Sequence, residues 1–339
     1  MTVASPKGIH LMLAVALVIG SPAALPVSGT NNRLQSPTMV WIDTDPSVEP
    51  GGHEVDDGFA MVQAFHSPEL RIKGISVVFG NADLDKGFRI AEAMVRQFGP
   101  AELEVLPGAA GAHQLGEETV ASHALAESLA RESLTILALG PLTNIATVLK
   151  QHPQLSTRIK TVVAVAGRRP DQHFRTGTKS GKPFRDFNFE LDSEAARLVL
   201  ASGVPVILAP WELSSQIWIT ADDLEQMKAG PPAAQWLYTS AMDWLGLWRD
   251  QFGVDGFNPF DTLAVAILTS PELFACETLP AKIENLPDDT PPDGAPLGMT
   301  KPYLLVSNDL QSNLTVEYCW KASQKFKTDL MKRLLPGSL

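Results

Sequence analysis

The sequence predicts an α/β domain whose central sheet is mostly parallel and is flanked by helices. Short apolar and β-branched runs alternate with longer segments in which apolar residues recur every three or four positions, the period of an α-helix. Strand and helix alternating several times in succession is typical of parallel sheets. Ligands of such sheets bind beyond the carboxyl ends of the strands, so residues that directly follow a strand are the first candidates for function.

The predicted elements begin near residue 39. Five strands are predicted in the first two thirds of the chain, at residues 39–42, 72–78, 134–138, 161–165 and 204–208. Four helices are predicted between them, at residues 57–65, 83–98, 142–150 and 193–201. After residue 210 the pattern changes to tryptophan-rich helical stretches, proline-rich loops at 280–302, strands at 303–307 and 314–318, and a helix to about 334. Without an internal repeat or a composition shift, residues 38–335 are predicted to form a single domain.

The first 30 residues are predicted to be a signal peptide with its linker. Lys7 precedes the apolar run 11–20, which is too short to span a bilayer comfortably, and small residues follow at 21–24. We therefore expect a secreted or periplasmic protein without membrane contact after cleavage, with an uncleaved anchor or a buried core segment as alternatives. Cys276 and Cys319 fit neither a disulfide framework nor a zinc site, although an oxidising compartment permits a bridge between them.

Composition excludes a disordered chain and argues against a nucleic-acid partner. The 339 residues are 45% hydrophobic and 19% charged, which is enough to bury a large core. Lys and Arg number 27 against 38 Asp and Glu, a net charge of −11, and no stretch gathers basic residues into a stripe. Most of the acidic residues are expected to be solvated surface.

Four carboxylates surround the end of the first predicted strand and the start of the next helix. Asp43 and Asp45 lie in WIDTDPS, and Asp56 and Asp57 lie in HEVDDGFAM. Like charges in a small space raise one another's pKa unless a cation neutralises them. Oxygen ligands without a convergent His or Cys set favour Ca²⁺ or Mg²⁺ over Zn²⁺. The sequence therefore predicts a divalent cation site, the alternative being helix caps and solvated surface charges.

Six short blocks, taken in order, resemble the inosine–uridine nucleoside hydrolase family. They are DTDP, VDD, VVFGN, LGPLTN, DFN and DTLAVA, and they cover about residues 39–270. The resemblance implies a nucleoside-hydrolase-like fold with a Rossmann-like open sheet. It also implies a Ca²⁺-dependent glycosidase of nucleoside catabolism that cleaves purine or pyrimidine ribonucleosides to free base and ribose. Family members usually form dimers or tetramers, so a homo-oligomer is expected.

The resemblance also implies roles for individual residues. Three carboxylates and one backbone carbonyl are implied as Ca²⁺ ligands: Asp45, Asp57, Asp261 and Leu139. Asp45 is further implied as the general base that takes a proton from a Ca²⁺-bound water. Four residues are implied as contacts of the ribose: Asp56, Asn81, Asp186 and Asn188.

The chain departs from the family's pattern in places that bear on mechanism. Residues 47–55 lengthen the first motif, and His53 and Glu54 within them are expected to lie in an exposed loop, the alternative being part of a lid or an extra cation ligand. Phe260 stands where many members have a His that protonates a departing purine. Ser180 replaces an Asn, and Asp186 replaces a Glu, so the 5′ side of the sugar is expected to be recognised differently.

Base recognition is expected from aromatic residues after residue 210. Phe260, Trp211 and Trp244 are the candidates for stacking on a nucleobase, and stacking gives little choice between purine and pyrimidine. Further tryptophans at helical spacing are available, although such residues more often belong to a core: Trp218, Trp236 and Trp248. Three histidines in predicted loops are weaker candidates for the leaving-group acid: His113, His123 and His173.

Two other functions stay open on sequence alone. One is a secreted nucleoside- or ribose-binding protein of the same fold that has lost turnover, as Phe260, Ser180 and the lengthened motif allow. The other is a haloacid-dehalogenase-like phosphatase, because DTDPS also fits a DxDx[S/T] motif with Asp43 as nucleophile. No Lys follows at the place that the phosphatase needs, and the implied set of cation ligands is complete, so an active hydrolase is favoured.

Overall fold

A nine-stranded sheet organises the computed structural model, which describes residues 1–2, 36–51, 53–178 and 183–337. The strands are β1 (Thr38–Thr44), β2 (Leu70–Val77), β3 (Val105–Pro107), β4 (Leu134–Ala138), β5 (Ile159–Ala164), β6 (Val206–Leu208), β7 (Phe274–Pro287), β8 (Thr300–Val306) and β9 (Thr315–Ala322). Their order across the sheet is β3-β2-β1-β4-β5-β6-β9-β7-β8.

Parallel pairing dominates the sheet and creates a crevice in its middle. β1 to β6 pair in parallel, β9 joins β6 in parallel, and β7 runs antiparallel to both β9 and β8. From β1 the chain builds outward to β2 and β3, and then returns to place β4 on the other side of β1. The order thus reverses between β1 and β4, and their carboxyl ends flank the topological switch point at which open α/β sheets bind ligands.

Helices cover both faces of the sheet. They are α1 (Asp56–Phe65), α2 (Leu84–Phe98), α3 (Val120–Arg131), α4 (Thr143–Gln151), α5 (Phe187–Leu191), α6 (Ser193–Ala201), α7 (Trp211–Ser214), α8 (Ala221–Lys228), α9 (Pro232–Phe252), α10 (Phe260–Thr269) and α11 (Lys325–Leu334). Short 3₁₀ turns lie at Ala112–Gln114, Pro153–Arg158 and Pro271–Leu273.

Two apolar cores lie on opposite faces of the sheet. One joins α1, α2, α8, α9, α10 and α11, and the other joins α3, α4 and α6. Successive side chains of a strand point to opposite faces, so Val40 and Ile42 of β1 enter the first core while Trp41 enters the second. β1 is therefore buried on both sides, which fixes the position of the residues that follow it.

The predicted α/β architecture is confirmed, with corrections in the C-terminal part. The predicted strands and helices of the first 210 residues are present with shifts of one to two residues at most ends. β3 and α3 were not predicted. The prediction of loops at 280–302 is wrong for residues 280–287, which belong to β7, and for 300–302, which open β8. Proline is tolerated at strand ends and on edge strands, and β8 forms an edge of the sheet.

Predictions about the cysteines and the N-terminus have different outcomes. Cys276 and Cys319 form a disulfide between β7 and β9. Within the described residues, no helix has the length and apolar character to cross a membrane. The predicted signal peptide falls on residues 3–35 for the most part, and these lie outside the described residues, as does Ser180.

Candidate active site

Buried aspartates gather at the carboxyl end of β1. Asp45 follows β1, Asp56 and Asp57 open α1, and Asp261 lies in the first turn of α10. We call these four residues the aspartate cluster; each is at most 6% exposed. The N-termini of α1 and α10 carry partial positive charge, which favours carboxylates there. Because α1 packs against α10, aspartates from distant parts of the sequence share one site.

Hydrogen bonds orient the cluster but leave one oxygen unsatisfied. Asp57 Oδ1 accepts from the Thr44 hydroxyl and from the Asp45 backbone N–H at 3.1 Å. Asp45 Oδ2 accepts from the Asn81 backbone N–H at 2.8 Å. Asp45 Oδ1 is buried and has no hydrogen-bond partner among the described residues. A buried carboxylate oxygen without a donor is costly, so this atom calls for a cation or a proton.

Two glycines allow the backbone to approach Asp45 closely. A Cβ atom built on Gly80 would lie 2.7 Å from Asp45 Cγ, and one built on Gly140 would lie 2.9 Å from Asp45 Oδ1. Real Cβ atoms essentially never come within 3.0 Å of such neighbours. The glycines of VVFGN and LGPLTN are therefore needed to pack the loops after β2 and β4 around this carboxylate.

Burial and mutual repulsion perturb the acidity of the cluster. Burial raises the pKa of Asp57 to about 6, against the lowering effect of the Thr44 hydroxyl. Burial also raises the pKa of Asp45 well above its usual value, and repulsion by Asp57 adds to the shift. The pKa values of Asp56 and Asp261 are raised by the same two causes. In a neutral solution the cluster therefore gains from a positive charge placed among its carboxylates.

The residues present fit a hard divalent cation. The orphaned Asp45 Oδ1 and the carboxylates of Asp57 and Asp261 supply oxygen donors, as does the Leu139 carbonyl, which accepts from Asn188 Nδ2 at 2.5 Å. Ligand oxygens of Glu54, Asp56 and Asp57 lie within 4.8 Å of one another. A set of oxygens without sulfur or imidazole suits Ca²⁺ or Mg²⁺.

A cavity of about 450 Å³ opens above the cluster. Its volume is in the range of small-molecule sites. The polar part of its lining, which we call the polar end, includes every residue that was predicted to contact ribose: Asp56, Asn81, Asp186 and Asn188. Leu139 and Asp261 line the same end. The lining also contains aromatic rings that contact one another, which we call the aromatic end: Phe174, Phe184, Trp211, Trp244, Trp248, Phe252 and Phe260.

Asp186 and Asn188 reach the polar end from the start of α5. Asp186 Oδ2 accepts from the Gly167 backbone N–H at 2.9 Å. Burial raises the pKa of Asp186 to about 6, opposed by the positive charge of Arg168. The Asn188 amide donates to the Leu139 carbonyl. The DFN block is thereby tied to the turn after β4.

The aromatic end contains the three predicted stacking residues and several that were not predicted. Phe260, Trp211, Trp244 and Trp248 all line the cavity, whereas Trp236 lies against a different surface depression near α2. Phe174 and Phe184 also line it, from the loop between β5 and α5, where no periodic pattern in the sequence distinguishes them.

None of the three histidines named as candidate acids lines the cavity. His123 is exposed and faces Glu118 and Glu127 on α3, and His173 pairs with Asp289. His113 lies in the exposed turn Ala112–Gln114. Among the described residues that line the cavity there is no histidine, and Phe260 occupies the position at which many relatives were expected to carry one.

The lengthened first motif differs from its prediction. His53 is exposed as expected, but the prediction is wrong for Glu54, which is half-buried and lines the cavity. Its carboxylate accepts from the Asp56 backbone N–H and from Asn81 Nδ2 at 3.1 Å. The sequence did not indicate that Glu54 is part of the site, because an inserted segment carries no periodic pattern. The position of Glu54 directly before the VDD block was the one available signal.

Asp43 lies in β1 and is held by side chains of β2 and α4. Its Oδ1 accepts from the Ser76 hydroxyl and from Asn144 Nδ2 at 2.8 Å, and burial raises its pKa to about 7. The side chain is fully buried and is not part of the cavity wall.

Comparisons with known proteins agree with this geometry. Residues 40–320 match the family model described as inosine-uridine preferring nucleoside hydrolase. The chain is 31% identical over 264 residues to a pyrimidine-specific ribonucleoside hydrolase of Citrobacter koseri, covering 69% of this chain and 80% of that protein. A plant nucleoside hydrolase superposes with a TM-score of 0.72 at 19% identity, covering 88% of this chain and 99% of the other. A purine-preferring ribonucleoside hydrolase from Gardnerella vaginalis has a TM-score of 0.68 at 20% identity, covering 88% of this chain and 98% of the other.

Proposed function

This chain belongs to the inosine-uridine preferring nucleoside hydrolase family, and on that premise we propose that it cleaves the N-glycosidic bond of ribonucleosides to free base and ribose. The observation that carries the proposal is the buried aspartate cluster, of which Asp56 and Asp261 line a cavity whose wall divides into a polar group of side chains and a group of aromatic rings in mutual contact. Such a division suits a nucleoside, whose sugar is polar and whose base is a flat π-system.

We propose Ca²⁺ as the cofactor, held by Asp45, Asp57, Asp261 and the Leu139 carbonyl. The orphaned Asp45 Oδ1 and the raised pKa values of the cluster support this assignment. When bound, the cation supplies Lewis acidity, which lowers the pKa of a coordinated water and anchors hydroxyl groups of the substrate.

The chain's own residues supply the remaining chemistry. Asp45 accepts a proton from the attacking water. Because the transition state of glycosidic cleavage carries positive charge on the sugar, the surrounding carboxylates stabilise it. Asp56, Asn81, Asp186 and Asn188 hold the ribose by hydrogen bonds.

The aromatic end shapes how the base departs. Trp211, Trp244 and Phe260 offer faces for stacking and exclude water from the bond that breaks. Phe260 has no proton to donate, and the cavity wall in the described residues has no histidine. Protonation of the leaving base therefore comes from solvent or from a group other than imidazole.

Hydrolysis of ribonucleosides with and without a chelator tests the function. We expect the purified protein to release free base and reducing sugar from one or more purine or pyrimidine ribonucleosides. EDTA should abolish release, and added Ca²⁺ should restore it better than Mg²⁺. Measurable nucleoside binding with no ribose release from any substrate would instead support the non-catalytic binding protein.

The pH dependence of stability tests the cation site without an activity assay. In the cation-free chain, cluster pKa values are raised above those of the unfolded state, so the native state binds more protons and its free energy of unfolding falls as pH rises from about 4 through about 6, the range that Asp57 sets. Cation binding needs ionised carboxylates, so affinity should rise with pH by roughly tenfold per unit for each proton released. We therefore expect Ca²⁺ to increase the Tm more at about pH 7.5 than at about pH 5.5. An equal increase at both values would contradict the assignment.

Two further properties are proposed from the sequence and the resemblance. The protein is exported to the periplasm or secreted after removal of its N-terminal segment, and it forms a dimer or tetramer. N-terminal sequencing of the protein recovered from the expressing cell tests the first, and sedimentation of the purified protein tests the second.

A further inference from the structure

We propose that Glu54 is a positioning residue that fixes the Asn81 amide in one orientation, so that Asn81 meets the ribose as a hydrogen-bond acceptor. The proposal deepens the function above and rests on it. It comes from the lengthened first motif, the part of the chain that departs most from the six-block pattern of the family.

The contacts of Glu54 link two walls of the cavity. Oε2 accepts from Asn81 Nδ2 at 3.1 Å, and Oε1 accepts from the backbone N–H of Asp56, the first residue of α1. Asn81 Nδ2 also donates to Asp57 Oδ2 at 3.3 Å. Both amide hydrogens of Asn81 are therefore directed at carboxylates, one from the lengthened motif and one from the aspartate cluster.

These contacts decide which way the Asn81 amide faces. A reversed amide would place Oδ1 against the carboxylates of Glu54 and Asp57, and three acceptors facing one another repel. With Nδ2 committed to those carboxylates, Oδ1 keeps free acceptor capacity. Because Asn81 lines the polar end of the cavity, the side chain can accept a hydrogen bond from a ribose hydroxyl.

The lengthened motif is anchored well enough to hold Glu54 in place. Gly51 adopts a φ of 113°, in the left-handed region that favours glycine, and so allows the segment to turn. Its backbone N–H donates to Asp243 Oδ2 on α9 at 2.8 Å, and Glu49 pairs with Lys86 on α2 at 2.9 Å. The Ser47 hydroxyl donates to the Glu54 carbonyl at 3.3 Å. The segment that precedes Glu54 is thus tied to two helices, α2 and α9.

Two other roles for Glu54 give different results in the same experiment. Glu54 could act only as a cap of α1 through the Asp56 N–H. In that case the loss of kcat/KM caused by Glu54→Ala would be the same with and without the Asn81 side chain. It could also be a cation ligand, because its carboxylate lies near Asp56 and Asp57. A double-mutant cycle with Asn81, combined with cation titration, separates the three roles.

The test compares Glu54→Ala, Asn81→Ala and the double variant. Losing the hydrogen bond that Asn81 makes to the sugar should lower kcat/KM by about tenfold, chiefly through KM. We expect Glu54→Ala to reproduce most of this loss in the wild-type background and to cost less than twofold in the Asn81→Ala background. Glu54→Gln, which keeps one acceptor, should fall between wild type and Glu54→Ala.

Deoxynucleosides add a readout that a purely structural role would not move. Asn81→Ala should reduce discrimination between a ribonucleoside and the analogue that lacks the contacted hydroxyl. Glu54→Ala should reduce discrimination against that same analogue, whether 2′-deoxy or 3′-deoxy. His53→Ala, at the exposed residue beside Glu54 and outside the anchoring contacts described above, is the control and should change kcat/KM by less than twofold.

The outcomes are exclusive. Additive losses in the cycle overturn the proposal, as does unchanged discrimination against both deoxy analogues in Glu54→Ala. A tenfold weaker Ca²⁺ affinity of Glu54→Ala in calorimetry, with additive losses, overturns it in favour of a cation ligand. If the wild type releases no ribose, the proposed function fails, and the same cycle measured on the Kd of the ribonucleoside still decides the role of Glu54.

Discussion

Asp45→Asn is expected to lower kcat by about three orders of magnitude, the middle to upper part of the range for a general base. The structure explains why an isosteric change should be so severe. Asp45 Oδ2 accepts from the Asn81 N–H, so the variant must turn its Oδ1 toward that donor. Its amide nitrogen then occupies the place of the orphaned oxygen and presents hydrogens where a cation needs an acceptor.

The same substitution should leave the fold intact. It removes one of several buried charges that repel one another, so without Ca²⁺ the free energy of unfolding at neutral pH should be equal to or above that of the wild type. In calorimetry the variant should bind Ca²⁺ at least tenfold more weakly, because a charged ligand is lost. Loss of activity with an undiminished Tm would separate chemistry from folding.

Asp255→Asn is the matched control for this experiment. Asp255 is exposed and pairs with Arg249 on the surface, so the same change of an acid to an amide should alter kcat by less than twofold. Full turnover in Asp45→Asn, by contrast, would refute the role of Asp45 as base. Reduced turnover with unchanged Ca²⁺ affinity would support Asp45 as the general base but would show that it is not a Ca²⁺ ligand.

The position of the cluster could be predicted from sequence because it depends on short-range rules. Asp45 directly follows a strand that is buried on both faces, and Asp57 lies in the first turn of the next helix. In a parallel sheet both features place a residue at the carboxyl edge, whatever the length of the loop between them. The nine residues inserted before Asp56 therefore lengthen the connection without moving the start of α1 away from β1.

Other parts of the site depend on tertiary packing and could not be predicted in this way. Phe174 and Phe184 reach the cavity from an irregular loop after β5, where Phe174 also stacks on the guanidinium of the buried Arg168. Glu54 faces inward because the lengthened motif is held by contacts to α2 and α9. Contacts of this kind join residues far apart in sequence and leave no periodic signal.

Gly80→Ala should disable the site without removing any functional group. A Cβ at this position would lie 2.7 Å from Asp45 Cγ and closer still to Oδ2, so Asp45 or the loop after β2 must move. Asp45 is 1% exposed and accepts a hydrogen bond from Asn81, which follows Gly80. Asp45 and the loop after β2 therefore cannot move independently of each other. A displacement of about 1 Å can cost about a hundredfold in rate, and we expect kcat to fall by that order.

The variant should also be less stable, by about 1–3 kcal/mol, the usual cost of adding a methyl group to a packed interior. Gly246→Ala is the matched control, since Gly246 lies within α9 with no atom near the position of a new Cβ. Alanine there should stabilise the helix by about 0.5–1 kcal/mol and leave kcat unchanged. Thermal unfolding and kinetics should therefore show a lower Tm and a lower kcat for Gly80→Ala, and a higher Tm with unchanged kcat for Gly246→Ala. If Gly80→Ala retained wild-type kcat and Tm, the close packing of this loop on Asp45 would be wrong, and the ligand geometry that depends on it would have to be abandoned.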